Sequence, residues 1–464
     1  MSKNDEDDRE PGDFDDALME REAREVYEEL LERVGEGSPR PRLEATRRAA
    51  ELLGDPQRAY PIIHITGTNG KTSTSRIIES ILRAHGLRTG MLTSPHLERV
   101  NERIVIDGEP ISNGAFVSNW QDIRPFLDIT DAELELDDQE PLSFFEALTL
   151  LAFAAFADAP VDVVVLEVGM GGEWDSTNVA DGQVAVFTPI ALDHTARLGK
   201  TVAEIARTKS GIIKPAAAVV SAAQAPEALV ELERAVELTE STFAVAGSDF
   251  ELISDTVAVG GQVITVRGLA GTYPDLFLPL FGDHQAANAA LAIAAVESFI
   301  GGGALPLNQD VLAEGLATAT SPGRLQVIGN EPTVLVDAAH NPHGAAALAV
   351  ALTEYFTFDA VTAVIGILGD KDAAGILREL EPTIDHFVVT QSTSERAVGA
   401  EQLAALAVTI VGADRVTLEP SFEAALELAR DRASATEKGA ALVTGSITLV
   451  GDSIVYARDR GWKP

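Results

Sequence analysis

From residue 14 to 53 apolar residues recur at helical spacing (Leu18, Val26, Leu30, Leu31, Val34, then Leu43, Ala49, Leu52, Leu53), with a break at 35–41. Residues 60–65 are a short β-branched run that ends in a glycine-rich turn, and a helical pattern follows at 73–85. Strand, glycine turn and helix open a parallel α/β unit. The alternation continues with helix 144–156, strands 161–168 and 184–188, helix 202–209 and strand 217–221. Short alternating runs between 241 and 280, such as 262–266, predict an antiparallel flap, and 284–300 is an alanine-rich helix. The polar stretch 318–324 (TATSPGR) makes the best domain boundary. Beyond it strands are expected at 333–336, 360–365, 386–390, 415–418 and 440–444, alternating with helices 344–355, 373–380, 400–408 and 422–433. The pattern therefore predicts two parallel α/β domains, 17–320 and 321–464. The acidic segment 1–16 is too polar to support burial and is expected to be disordered.

Composition narrows the function. At 464 residues the chain exceeds one typical core. The stretch 147–168 comes nearest to a membrane span, but Asp158, Pro160 and Asp162 interrupt it, and a bilayer helix needs about 20 apolar residues. No membrane partner is expected. Residues 1–16 carry no cleavable signal pattern, and the absence of cysteine removes disulfides and thiolate chemistry and fits a reducing, cytoplasmic setting. The formal charge of −37 argues against a nucleic-acid partner, which would call for clustered Lys and Arg. It also sets a condition: a pocket for anionic substrates must be locally positive or metal-filled. No exposed apolar stripe stands out, so a monomer is expected.

Residues 64–72 read HITGTNGKT. A glycine turn between strand and helix points backbone N–H groups into a concavity that suits phosphate, and the helix dipole adds to it. In this reading Gly67, Thr68, Asn69, Gly70, Lys71 and Thr72 hold a nucleotide, with Lys71 on the β- and γ-phosphates and Thr72 or Ser73 near Mg²⁺. The strict P-loop pattern asks for glycine where Ile65 stands, so the loop is a variant. The competing reading is a plain tight turn before a helix.

The sequence GTNGKTS resembles the loop of the Mur ligase superfamily, whose members activate a carboxylate with ATP and join it to an amino acid. Further stretches resemble the dihydrofolate synthase/folylpolyglutamate synthase family within it: SPHL (94–97), NERI (101–104), SFFE (143–146), LEVGMGG (166–172), ALDHT (191–195), SPGR (321–324) and DAAHNPHG (337–344). They occur in the family's order. The resemblance implies a Mur-ligase-like P-loop domain with a parallel sheet, followed by a smaller Rossmann-like α/β domain. The implied substrates are the small molecules ATP, L-glutamate and dihydropteroate or folates.

Such a reaction moves the γ-phosphoryl of ATP onto a carboxylate, which demands positioning and charge neutralisation. Glu167 ends a hydrophobic strand (VVVLE), at the sheet edge where α/β folds bind ligands. It is expected to hold Mg²⁺ rather than serve as a helix cap. The resemblance adds Ser94 and His194, giving two Mg²⁺ ions, one on Ser94 and Glu167 and the other on His194. It also implies that Lys209, otherwise an amphipathic surface lysine, is carbamylated. Asn288, Arg324 and Asp337 resemble the family's ATP contacts. Arg324 sits on the linker, from which a cation reaches the phosphates only when the domains close.

For the acceptor, the resemblance points to Ser143, Phe144, Phe145 and Glu146. One of the two phenylalanines is expected in the core. For glutamate, Asp337, His340 and Ser446 are candidates, with His340 orienting or deprotonating the attacking amine. One departure stands out: Glu173 occupies the place where the family usually has arginine after the two glycines. Beside the bifunctional synthase three other readings remain: a folylpolyglutamate synthase only, a Mur-type ligase of cell-wall precursors, and a nucleotide-binding regulator that has lost catalysis.

Overall fold

The computed structural model describes residues 11–35, 40–394 and 396–463. The start of the chain differs from the expectation of disorder over 1–16. Residues 1–10 lie outside the described residues, but 11–16 belong to the helix Pro11–Leu31. Pro at a first helical position and acidic residues in a first turn suit a helix start. Ala23, Val26 and Leu30 then bury one face of this helix in the core that also holds Phe116, Trp120 and Ile123.

The first half is built on a sheet whose spatial order is Glu109–Pro110, Ile104–Ile106, Thr89–Leu92, Val163–Glu167, Ile62–Thr66, Val184–Phe187, Ala218–Ser221 and Thr242–Val245. The last six of these run parallel, while Ile104–Ile106 is antiparallel to both its neighbours. Every residue of the three central strands is buried, because helices cover both faces. Helices Pro11–Leu31, Asn113–Leu136 and Phe144–Asp158 pack on one face, and Lys71–Ala84 and Asp283–Gly301 on the other. Residues 242–245, expected in the flap, instead extend the main sheet in parallel. The antiparallel flap itself is Glu251–Ala258, Gly261–Arg267 and Thr272–Leu278. It buries Ile264, Val266, Leu276 and Leu278 in the same core as Asp283–Gly301.

The second sheet has the order Gln326–Asn330, Thr333–Val336, Gly439–Thr444, Ala360–Ile365, His386–Val389 and Val416–Leu418, parallel apart from its first hairpin. The carboxyl ends of the two parallel sheets face one another: residues following Thr66 and Phe187 in the first meet residues following Val336 and Ile365 in the second. Among the described residues no helix is long and apolar enough to cross a membrane.

Candidate active site

The loop between Ile62–Thr66 and Lys71–Ala84 depends on glycine at two points. Gly67 has φ +151°, and a Cβ there would collide with Thr188 Oγ1. Gly70 has φ +84°, and a Cβ would lie 2.7 Å from Asn288 Oδ1. Asn288 thus packs against the loop, and its amide bonds Gln285 at 3.2 Å. Thr68 is stitched to residues 189–191: its N–H donates to Pro189 O at 2.9 Å and its hydroxyl to Ala191 O at 3.0 Å. Lys71 curls back over the loop, with Nζ 3.3 Å from both Gly67 O and Thr68 O. Burial lowers its pKa, opposed by Glu167 and Asp193 and assisted by Lys371 and Arg324.

Thr72 Oγ1 donates to Glu167 Oε1 at 2.9 Å, while Glu167 Oε2 is buried and has no partner. Burial pushes the Glu167 carboxyl up to about 7, against the pull of Lys71, Thr72, Arg324 and the Ser94 backbone. An orphaned carboxylate oxygen beside the Thr72 hydroxyl, with the Ser94 backbone next to the same carboxylate, offers oxygen donors that suit a hard divalent cation. His194 stands apart from this group. It adopts φ +48° and has Nε2 3.5 Å from Lys371 Nζ. Burial pushes its pKa down to about 4. A lysine ammonium so close makes His194 a poorer fit for a cation than Glu167. Among the described residues no three His, Asp or Glu side chains gather as a metal cluster.

The cleft centre is Asp193, which sequence reasoning did not single out. Lys371 Nζ donates to Asp193 Oδ1 at 2.9 Å, Asn341 Nδ2 to Asp193 Oδ2 at 3.2 Å, and His340 Nε2 lies 3.8 Å away. Burial works to raise the Asp193 pKa, but His194, Lys371 and His340 outweigh it and hold the carboxyl well below its usual range. His340 Nδ1 is 2.9 Å from Ala338 O, and burial pushes its pKa down to about 4. Lys371 and Asn341 were missed too. Lys371 follows a predicted strand in a Gly-Asp-Lys-Asp turn, the one local signal available.

Lys209 is buried, not on the surface. Its Nζ donates to Gly67 O at 2.7 Å, and burial, then Lys71, lowers its pKa to about 7. Both Asp337 oxygens accept backbone N–H groups, Oδ2 from Leu325 and Oδ1 from Ala339, each at 2.8 Å. That geometry makes Asp337 an anchor for the linker, where Leu325 has φ +41°. Arg324 is half-buried and makes no side-chain hydrogen bond among the described residues.

Ser143 and Glu146 form a capping box on the helix Phe144–Asp158, and Arg42 grips both Glu146 oxygens at 3.0 and 2.9 Å. Their polar atoms therefore hold the helix start. Phe144 is core, packed edge-on against Tyr27, whereas half-buried Phe145 lies over Gly169, whose Cβ would come within 2.6 Å of the ring. Glu173 is exposed, its N–H bonded to Thr208 O at 2.8 Å. Ser446 is buried at the start of Ile447–Asp459 and its hydroxyl lies 2.7 Å from that of Thr448.

Comparison with known proteins agrees with this architecture. Residues 65–296 match the Mur ligase middle domain, and 323–447 match the Mur ligase, glutamate ligase domain. The Mycobacterium tuberculosis dihydrofolate synthase/folylpolyglutamate synthase is 44% identical over 431 residues, covering 88% of each chain. The structure of M. tuberculosis folylpolyglutamate synthase complexed with ADP superposes with a TM-score of 0.91 at 42% identity, over 96% of this chain and 100% of that one. The Escherichia coli protein FolC in complex with DHPP and ADP gives 0.79 at 31% identity, over 90% and 94%. The chain belongs to the Mur ligase family, in its dihydrofolate synthase/folylpolyglutamate synthase branch.

Proposed function

We propose that this protein uses ATP to join L-glutamate to the carboxylate of dihydropteroate or of a reduced folate, releasing ADP and phosphate. The observation that carries the reading is the meeting of two sheet edges: a glycine loop with Lys71 on one side and Lys371, His340 and Asn341 on the other, around Asp193. Residues 17–320 are assigned to nucleotide and acceptor, and 321–464 to glutamate.

In this reading the N–H groups of Gly67–Thr72 and the Lys71 ammonium hold the nucleotide phosphates. Thr72, Glu167 and Ser94 would hold Mg²⁺, which when bound offsets phosphate charge. Arg324 joins from the linker when the halves close. A carboxylate oxygen of the acceptor bonds to the γ-phosphorus as the bond to ADP breaks, leaving an acyl phosphate. The glutamate amine then displaces phosphate, oriented by His340, which burial keeps neutral, so that with Nδ1 on Ala338 O its Nε2 offers a lone pair to an amine N–H. Phe145 flanks the acceptor ring. Lys209, with its depressed pKa, is an amine that carbon dioxide can convert to a carbamate at neutral pH. The enzyme is proposed to act as a cytoplasmic monomer.

The test is phosphate release from purified protein with ATP, Mg²⁺, glutamate and either dihydropteroate or tetrahydrofolate. Release that requires both organic substrates supports the ligase. Release with neither, or none at all, rejects it, and the two acceptors separate a bifunctional enzyme from one that only extends chains.

A further inference from the structure

The helix Lys71–Ala84 carries a cation that the reading above leaves without a task. Arg76 lies four residues after Thr72 and three after Ser73, so the three share a side of the helix. Helical side chains lean toward the N-terminus, which returns Arg76 toward the level of Thr72 and its 2.9 Å bond to Glu167. The helix connects Ile62–Thr66 to Thr89–Leu92 and passes over Val163–Glu167, the strand between them. Its Thr72 side therefore looks toward the segment that holds Ser94 and the turn Val100–Arg103.

Arg76 is half-buried, makes no hydrogen bond or ion pair among the described residues, and has no nitrogen sealed from solvent. Its carboxylate neighbours are engaged elsewhere. Glu102 accepts the backbone N–H groups of Leu97, Glu98 and Arg99 at 2.8, 3.0 and 2.8 Å. Glu79 takes Arg83 at 3.0 Å and Thr89 at 2.6 Å. Glu167 takes Thr72. A second guanidinium without a side-chain partner, that of Arg324, stands close enough to repel it. Two guanidinium groups that disfavour one another's charge form an arrangement that an anion completes.

We propose that Arg76 binds the carboxylate of the acceptor that is to be phosphorylated, an inference that rests on the ligase reading. In-line transfer places the leaving and attacking oxygens on opposite sides of the γ-phosphorus. The glycine loop and Lys71 hold the nucleotide end. The attacking carboxylate belongs beyond Glu167, on the side of Ser94 and Arg76. A planar guanidinium fork matches a carboxylate in two parallel hydrogen bonds, which a lysine cannot reproduce.

Initial rates of wild type, R76Q and R76K, with acceptor, ATP and glutamate varied in turn, test this. R76Q is expected to raise the acceptor KM by about 10- to 100-fold and leave the ATP KM within about twofold, with R76K falling between. An acceptor KM unchanged in both variants overturns the proposal. So does a parallel rise in the KM of acceptor and ATP, which would put Arg76 on the nucleotide. Should R76Q fail to fold, R76K decides by the same criterion: a raised acceptor KM at constant ATP KM supports the assignment, and an unchanged one overturns it. If wild type itself shows no release of phosphate dependent on both organic substrates, the ligase reading fails instead, so the two failures are told apart.

Discussion

Asn69 and Asn341 exchange amide hydrogen bonds across the cleft: Asn341 Nδ2 donates to Asn69 Oδ1 at 2.9 Å and Asn69 Nδ2 to Asn341 Oδ1 at 3.2 Å. The phosphate loop is thereby tied to the first strand exit of the second sheet. Asn341 Oδ1 also caps the helix Pro342–Tyr355 through Gly344 N–H at 2.8 Å. The two roles separate by substitution. N341A is expected to lose about 1 kcal/mol of stability with the cap, and at least about tenfold in kcat. N341S keeps a capping hydroxyl but cannot reach Asn69, so thermal melting should recover while turnover does not. Recovery of both would mean that the amide pair is dispensable.

Asp193 and Lys371 make the buried ion pair of the cleft, with side chains 11% and 6% exposed. Removing one partner strands the other charge, which costs more than the pair contributes when intact. D193N is expected to lose roughly 2–4 kcal/mol in urea denaturation, and turnover should fall by about a hundredfold or more. A double variant, D193N with K371M, should regain much of the stability and none of the activity. If the double variant is as unstable as the sum of the singles, the pair is not coupled.

These two contacts mark the limit of what the sequence discloses. The loop at 67–72 is legible because glycines, lysine and hydroxyls lie within six consecutive positions and their meaning is local. Asp193 and Lys371 are 178 positions apart and meet only because two sheet edges face each other. Asp337 was read as a nucleotide contact; the structure adds that its two oxygens also receive backbone N–H groups from Leu325 and Ala339, a tie between the linker and the strand exit that depends on where the chain turns in space rather than on residue type. With Ser143 and Glu146 the signal was present. Ser-x-x-Glu before an apolar run is the capping-box pattern, a structural role that stands beside the acceptor contact the resemblance implies.

Glu167 Oε2, buried and unpartnered, predicts how the protein responds to magnesium. Millimolar Mg²⁺ should raise the melting temperature of wild type by mass action and leave that of E167Q unchanged. Turnover of E167Q should drop by at least about a hundredfold at saturating ATP. Equal Mg²⁺-induced shifts in both proteins would remove Glu167 from the metal site.

Lys209 gives a dependence on pH whose sign follows from its depressed pKa of about 7, against 10.5 for a free lysine. A buried base contributes stability that is fully present above its unfolded pKa and is lost as pH falls through the folded one. K209M carries no such loss. Relative to wild type it should gain stability between pH 10 and pH 6, by on the order of a few kcal/mol. Urea denaturation at pH 6, 8 and 10 measures it, and a difference independent of pH would contradict a buried, uncharged amine. Intact-mass spectra in bicarbonate buffer should show one added carbamate on wild type and none on K209M.

Glu173 offers the last test, because it places an anion where related sequences are expected to carry a cation. Its side chain is exposed and its backbone is pinned by Thr208 O, so a new side chain there disturbs little of the fold. E173R should change stability by less than about 0.5 kcal/mol. If the acceptor's glutamyl carboxylates pass this position, reversing the charge should lower the KM for polyglutamylated folates several-fold at low salt and leave dihydropteroate, with its single carboxylate, nearly unaffected. The difference should shrink as ionic strength rises, since charges at an exposed site are screened over about 10 Å at 0.1 M salt. A KM that falls equally for both acceptors would place Glu173 beside the reacting carboxylate, and one that does not move would leave it outside the acceptor's path.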